Sequence, residues 1–343
     1  MTGRTALVVP SNRPEHLETF LERWTPYPWD LTIVVEDGPA PTPLTRPVDH
    51  HLCWADIDRH LGDDAWIVSR RDSGVRAFGF LRAVALGADV VVTLDDDCLP
   101  ASDADRAAFC ATHRANLAAP PAWISSVPGL RVRGLPYGNG RRRTSPRVTV
   151  NMGLWSGTAD LDALQTLLGS PATHGFEPVV QTQVVSRHHY VPLCGMNLAF
   201  RAEALPAMYF PKMGDGSPYR RFDDVWCGVV MQRVFAHLDW VWTVGTPVVV
   251  HTRASDPLVN LEKETPGLAA HERFWKIIDA APLAADTLAG SLVEMAAHLR
   301  AQDDDYLRDW GRGLVRWLAH CERPARVATR RPSAAALRRP ASP

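Results

Sequence analysis

Residues 90–97 read VVVTLDDD, an uninterrupted apolar and largely β-branched run that closes on three carboxylates. Such a run predicts a strand buried on both faces. A strand of that kind needs helices to cover it, and the neighbouring segments supply them. Residues 6–10 (ALVVP) and 31–36 (LTIVVE) are strands of the same texture, with a weaker third at 66–68. Between them, residues 15–24 place Leu17, Phe20, Leu21 and Trp24 at helical spacing, and 75–86 reads as a second helix. Strands alternating with helices predict an α/β fold with a mixed, mostly parallel sheet flanked by helices. Ligands of such sheets bind beyond the carboxyl ends of the strands. Ser11-Asn12-Arg13, Glu36-Asp37 and Asp95-Asp96-Asp97 are therefore expected to share one crevice.

The sheet is expected to continue through 131–200, where LRVRG, VTVNMGLW, TQVVS and NLAFR are separated by Gly, Pro and basic loops. One of these, GNGRRRTSPR at 138–147, reads as a mobile loop. Residues 158–168 predict a helix capped by Thr158, and 224–237 an amphipathic helix entered through Asp223 and Asp224. Residues 240–250 predict a strand that His251 terminates. Beyond residue 261 the pattern turns helical, at 269–281, 286–299 and 306–321. The expected organisation is one domain over 1–282, a helical extension over 283–322, and a basic tail over 323–343. The tail, rich in Arg, Pro, Ala and Ser, is expected to be disordered.

Composition narrows the function. The 343 residues carry a formal net charge of -1, so no overall field draws the chain to nucleic acid or to an anionic membrane. Its six cysteines form no CxxC pair, which points to a reducing cytoplasm rather than a disulfide framework. No apolar stretch reaches spanning length, and the first residues lack the pattern of a secretory signal. Neither GxGxxG nor GxxxxGK[ST] occurs, which removes support for dinucleotide oxidoreductases and P-loop NTPases.

The chemistry gathers on acids and guanidiniums. Three adjacent carboxylates repel one another unless something neutralises them. A hard divalent ion does so with one or two carboxylates plus substrate phosphates. Asp95 and Asp97 alternate off the strand and can face one ion, with His251 as a further ligand. Of Asp223 and Asp224, one suffices to cap a helix; the other is a candidate base, or a carboxylate facing a cation-like sugar carbon. Asp215 stands between Gly214 and Gly216, which permit close approach of backbone to ligand. Arg13, Arg70, Arg71 and Arg76 are candidate partners for a pyrophosphate. By composition alone, Arg141, Arg142 and Arg143 read as a solvated loop face.

Several segments together resemble the reversibly glycosylated polypeptide family, which includes the plant UDP-arabinopyranose mutases. They are VVPSNRP, IVVEDG, SRRDSGVRAFGF, VVVTLDDDC, VNMGLW, LCGMNLAF, AMYFPKMGDG, RFDDVWCG and HTRASDPLVNLEKE. The likeness spans roughly residues 5–280 in collinear order. It implies a GT-A-like nucleotide-sugar fold and a Mn²⁺ or Mg²⁺ ion held at Asp95, Asp97 and His251. It implies UDP-sugar binding at Pro10, Ser11, Asn12, Arg13 and Asp37, at Ser73 and Arg76, at Asp95 and Asp96, and at Asn197 and Asp215. It implies interconversion of the pyranose and furanose forms of UDP-arabinose, with Asp223 and Asp224 in the chemistry. Such proteins are reversibly glycosylated on an Arg shortly before the GLW strand. Counting back from Gly153 favours Arg143; counting forward from Pro136 favours Arg141. Members also act in mixed complexes, so homo- or hetero-oligomers are implied. Two other functions fit the same residues: a glycosyltransferase passing the sugar to an acceptor, and a non-catalytic partner subunit.

Overall fold

The computed structural model describes residues 3–118, 146–169, 175, 177–178, 181–252 and 256–322. Arg141, Arg142, Arg143, the strand-like LRVRG and the basic tail lie outside them.

The first half alternates as expected. It runs β1 (Thr5–Ser11), α1 (Pro14–Arg23), β2 (Leu31–Glu36), β3 (His50–Leu52), α2 (Trp54–Leu61), α3 (Arg76–Ala85), β4 (Val90–Leu94), β5 (Cys98–Leu99) and α4 (Asp103–Asn116). Every residue of β1, β2 and β4 is buried, as their continuous apolar runs require. The second half holds β6 (Val148–Gly157), α5 (Ala163–Leu167), β7 (Gln183–Val185), β8 (Asn197–Arg201), α6 (Asp223–His237), β9 (Val241–His251), α7 (Pro257–Asp279), α8 (Leu288–Arg300) and α9 (Asp305–Glu322).

Among the described residues these strands form one sheet in the order β3-β2-β1-β4-β8-β6-β9-β5, with β7 on β9. Strands β1 to β4 pair in parallel. The antiparallel pairings all involve β8 or β9, and β6 pairs with β9 in parallel, so the flanked sheet is mixed. Ser11 pairs with Glu36, which brings the carboxyl ends of β1 and β2 level. Helix α3 packs on this corner through Gly79, where a Cβ would strike the side chains of Val8 and Val35.

Three expectations are corrected. Residues 66–68 are not a strand: Gly62–Ile67 is a 3-10 turn with Trp66 exposed, and the third strand is the short β3. Helix α5 starts at Ala163 under the cap of Asp162, whose Oδ1 accepts from Gln165 N; Thr158 pairs with His251 instead. Helix α6 is not amphipathic: Trp226 through Met231, Val234 and Phe235 are buried around its circumference, beneath α7 and α8. The helical extension expected beyond residue 282 is present as α8 and α9, and it shares one apolar core with the rest of the chain. No described helix is long and apolar enough to cross a membrane.

Candidate functional site

The three carboxylates that follow β4 are held differently. Asp96 is 3% exposed. Its Oδ2 accepts from Ser11 Oγ at 2.6 Å, and the Arg13 guanidinium forks over both oxygens. Arg13 also reaches Asp97 Oδ2 at 3.2 Å. Asp95 pairs with Arg76, whose guanidinium is also fixed by the carbonyls of Gly195 and Ser73 and by Thr93 Oγ1. Two guanidiniums thus offset much of the repulsion of three adjacent acids. Burial still holds the Asp96 carboxyl above the usual range, against the pull of Arg13 and Ser11. One atom is left over: Asp97 Oδ1 is buried without a hydrogen-bond partner among the described residues.

His251 stands opposite Cys98 where β5 pairs with β9, and Thr252 N donates to the Asp97 carbonyl at 3.2 Å. The backbone therefore places His251 next to Asp97. Its Nδ1 donates to Thr158 O at 2.8 Å, an arrangement that leaves the Nε2 lone pair available. The expected set of Asp95, Asp97 and His251 is nonetheless not a ready-made cage. No group of three such side chains converges to hold an ion among the described residues, because Asp95 is turned to Arg76 and Asp97 to Arg13.

A second acidic wall comes from the start of α6. Asp223 is 1% exposed and accepts from Ser73 Oγ at 2.8 Å. Asp224 accepts from the amides of Gly195 and Val225, both at 2.8 Å. Asp72 faces the same group and accepts from Gly74 N at 2.8 Å. Burial first, and then neighbouring negative charge, pushes Asp72 up to about 6 and Asp223 and Asp224 each to about 7. Gly195 joins the two walls: its carbonyl takes Arg76 and its amide holds Asp224.

Asp37 clamps the loop that carries these groups. It accepts from Trp54 Nε1 and from the amides of Arg71 and Asp72, at 2.8–2.9 Å. Glu36 is spent on His51 and Thr42. The turn at 213–216 seals the loop from outside: Gly214 bridges Arg70 at φ +90°, where a Cβ would strike the Arg70 carbonyl. Asp215 is exposed beside Arg71, and Asn12 is exposed next to Ser11. Pro10 is buried within β1.

Asn197 and Arg70 leave the expected set. Asn197 is fully buried; its Nδ2 donates to the carbonyls of Leu154 and Pro247, and its Oδ1 accepts from His113 Nε2. Both ends of its amide are used up inside the sheet. Arg70 lies over the Trp54 ring and pairs with Asp58. Arg141 and Arg143 fall outside the described residues. Conversely, Asp72, Asp160 and Cys194 belong to the crevice without having been singled out. Asp160 accepts from Cys194 Sγ at 3.3 Å. Crowding by protein holds its carboxyl above the usual range. Each is a lone residue in a loop, and no spacing rule finds it.

A family model described as "Reversibly glycosylated polypeptide" matches residues 3–323. The chain is 33% identical over 320 residues to UDP-arabinopyranose mutase 1 of Oryza sativa subsp. japonica, covering 87% of this chain and 86% of that protein. It is 35% identical over 272 residues to UDP-arabinopyranose mutase 1 of Arabidopsis thaliana, covering 75% and 73%. Among solved structures it is similar to glucosyl-3-phosphoglycerate synthase from Mycobacterium tuberculosis in complex with Mn²⁺, UDP-glucose and phosphoglyceric acid, with a TM-score of 0.44 at 13% identity over 82% of each chain. The chain belongs to the reversibly glycosylated polypeptide family.

Proposed function

We propose that this chain is a UDP-sugar mutase that interconverts the pyranose and furanose forms of a UDP-pentose such as UDP-arabinose. The observation that carries the reading is the convergence at one set of strand ends of Arg13, the three carboxylates after β4, Arg76 and the acidic start of α6, in a chain related to named mutases. Arg13, with a third of its side chain exposed, is the guanidinium free to turn from Asp96 and Asp97 towards a diphosphate. Arg76 is fully buried and serves to fix Asp95. Ser73, exposed beside Asp223, and Asp224 border the space left for the sugar.

A Mn²⁺ or Mg²⁺ ion fits these residues. Asp97 offers a buried carboxylate oxygen without a partner, and His251 an imidazole nitrogen oriented through Thr158. With two protein ligands, the diphosphate and water would complete the shell. When bound, such an ion supplies charge neutralisation to the departing diphosphate. Arg141 or Arg143 as the seat of a transient glycosyl adduct is part of the same proposal. Arginine stays protonated and is a poor nucleophile, so the adduct needs an adjacent carboxylate. A cytoplasmic setting is consistent with free thiols at all six cysteines.

The test is direct. Pure protein is incubated with UDP-arabinopyranose and Mn²⁺, and the products are separated. UDP-arabinofuranose formed without an acceptor is the expected result. Turnover that waits for an added acceptor would replace the mutase with a transferase. UDP binding without any turnover would point to a partner subunit.

A further inference from the structure

Among the described residues, the carboxylates of the acidic centre are held by guanidiniums, a hydroxyl or amides, whereas Asp160 is held by a thiol alone. Asp95 is held by Arg76, Asp96 by Ser11 and Arg13, Asp97 by Arg13, Asp223 by Ser73 and Asp224 by two amides. Asp160 is exposed. Among the described residues its side chain has one hydrogen-bond partner, the thiol of Cys194, a weak donor. The residue nevertheless belongs to the site. It follows Gly157, which pairs with His251, and it lies within electrostatic reach of Asp95, Asp224, His251 and Arg221. Its thiol partner precedes Gly195, the residue that joins the two acidic walls.

Interchange of pyranose and furanose moves a hydrogen as well as a ring bond. Once the bond from C1 to the diphosphate has broken, O4 bonds to C1 and its proton departs. The bond from C1 to O5 then breaks and O5 takes up a proton. The diphosphate returns to C1. One proton leaves O4 and one arrives at O5, with no net oxidation or reduction. We propose that Asp160 carries this proton, accepting it from O4 and returning it to O5. The proposal rests on the mutase reading above. A group with this task must reach substrate and change partners twice. A carboxylate held by a guanidinium or by two amides would have to give up strong hydrogen bonds to do so; one held by a thiol gives up little.

UDP-arabinopyranose labelled with oxygen-18 between C1 and the β-phosphorus separates the two halves of the reaction. Cleavage and return of the C1–oxygen bond scrambles the label into the non-bridging β-phosphate positions, whereas ring exchange yields UDP-arabinofuranose. In Asp160→Asn and in Asp160→Ala, label scrambling is expected to continue near the wild-type rate, with UDP binding and thermal midpoint retained. Furanose formation is expected to fall by about a hundredfold or more, the usual loss on removing a general acid–base group. Parental furanose formation in both variants overturns the proton shuttle alone, as does loss of scrambling in step with ring exchange. A wild-type chain that scrambles label without forming furanose overturns the mutase reading and the shuttle with it.

Discussion

Arg76 is the first residue of α3, and its guanidinium is shared among the Ser73 and Gly195 carbonyls, Thr93 Oγ1 and Asp95 Oδ1. A Lys ammonium is a point charge without the planar fork and cannot serve all four. Arg76→Gln removes the positive charge that Asp95, Asp223 and Asp224 share. Breaking a fully buried pair costs about 3–5 kcal/mol; Asp95 is 32% exposed, so urea unfolding of Arg76→Gln should show a loss below that range, and Arg76→Lys a smaller one still. Asp223 makes the converse case, because its carboxyl is pushed up to about 7 by burial first. In the unfolded chain an Asp titrates near about 4. Between about pH 4 and pH 7 the folded chain therefore holds more protons, and the contribution of this group to stability falls as pH rises. Asp223→Asn cannot ionise. Its thermal midpoint relative to the parent should climb between about pH 5 and pH 7 and level off above; a constant difference across that window would mean that Asp223 is already ionised at the lower end. At this scale the sequence reading was uneven for a physical reason. Arg13, Asp96 and Asp223 lie at strand ends or a helix start, where topology alone aims side chains into a crevice. Asn197 is also the first residue of a strand, but its side chain faces His113 and the neighbouring strands, and only packing decides that.

Elements were legible where burial is complete. Strands β1, β2 and β4 announce themselves because both faces are covered and every position except Glu36 is apolar or small. Short edge pieces carry too few residues to show a period: β3 has three and β5 two. Helix α2 reads WADIDRHL, with Ile57 its one buried residue, so its pattern is too polar to stand out. The 3-10 turn at Gly62–Ile67 imitates a strand because Trp66 and Ile67 are apolar, although Trp66 is 40% exposed. Helix α3 was legible, and its tight seat on the sheet depends on Gly79. Gly79→Ala drives a methyl group into Val8 and Val35, an overpacking that costs about 1–3 kcal/mol. Because α3 also carries Arg76, the shift should reach the acidic centre: UDP affinity, measured by calorimetry, should drop together with stability. If affinity stays unchanged while the midpoint falls, the helix has absorbed the strain away from its N-terminus.

The whole molecule closes through its last two helices, which the sequence pattern had set apart as an extension. Trp317 of α9 stacks on Tyr209 at 5.6 Å and donates its Nε1 to the carbonyls of Leu205 and Pro206. Trp310 stacks on Trp226 at 6.2 Å, and Tyr306 packs edge-on against Tyr219 at 4.9 Å. His320 reaches back to Asp64. Trp226 belongs to α6, two residues beyond Asp224, so α9 braces the helix whose first turn forms one acidic wall of the site. The family match runs to residue 323 and so covers these helices. Leu292, Leu299, Leu307, Trp310, Leu314 and Trp317 are each at most 3% exposed. At about 1.5–3 kcal/mol for each large apolar side chain fully buried, even the lower figure for the six is about 9 kcal/mol, comparable to the roughly 5–15 kcal/mol by which whole domains are stable. A chain ending at residue 282 is therefore expected to lose cooperative unfolding and its near-ultraviolet circular dichroism, and to expose apolar surface to a dye. A chain ending after Glu322 retains every one of these contacts and should keep both properties together with UDP binding. A cooperative, UDP-binding protein from the shorter chain would show that α8 and α9 are dispensable for the fold. It would also mean that α6 holds Asp223 and Asp224 in place without them, which the stacking of Trp310 on Trp226 argues against.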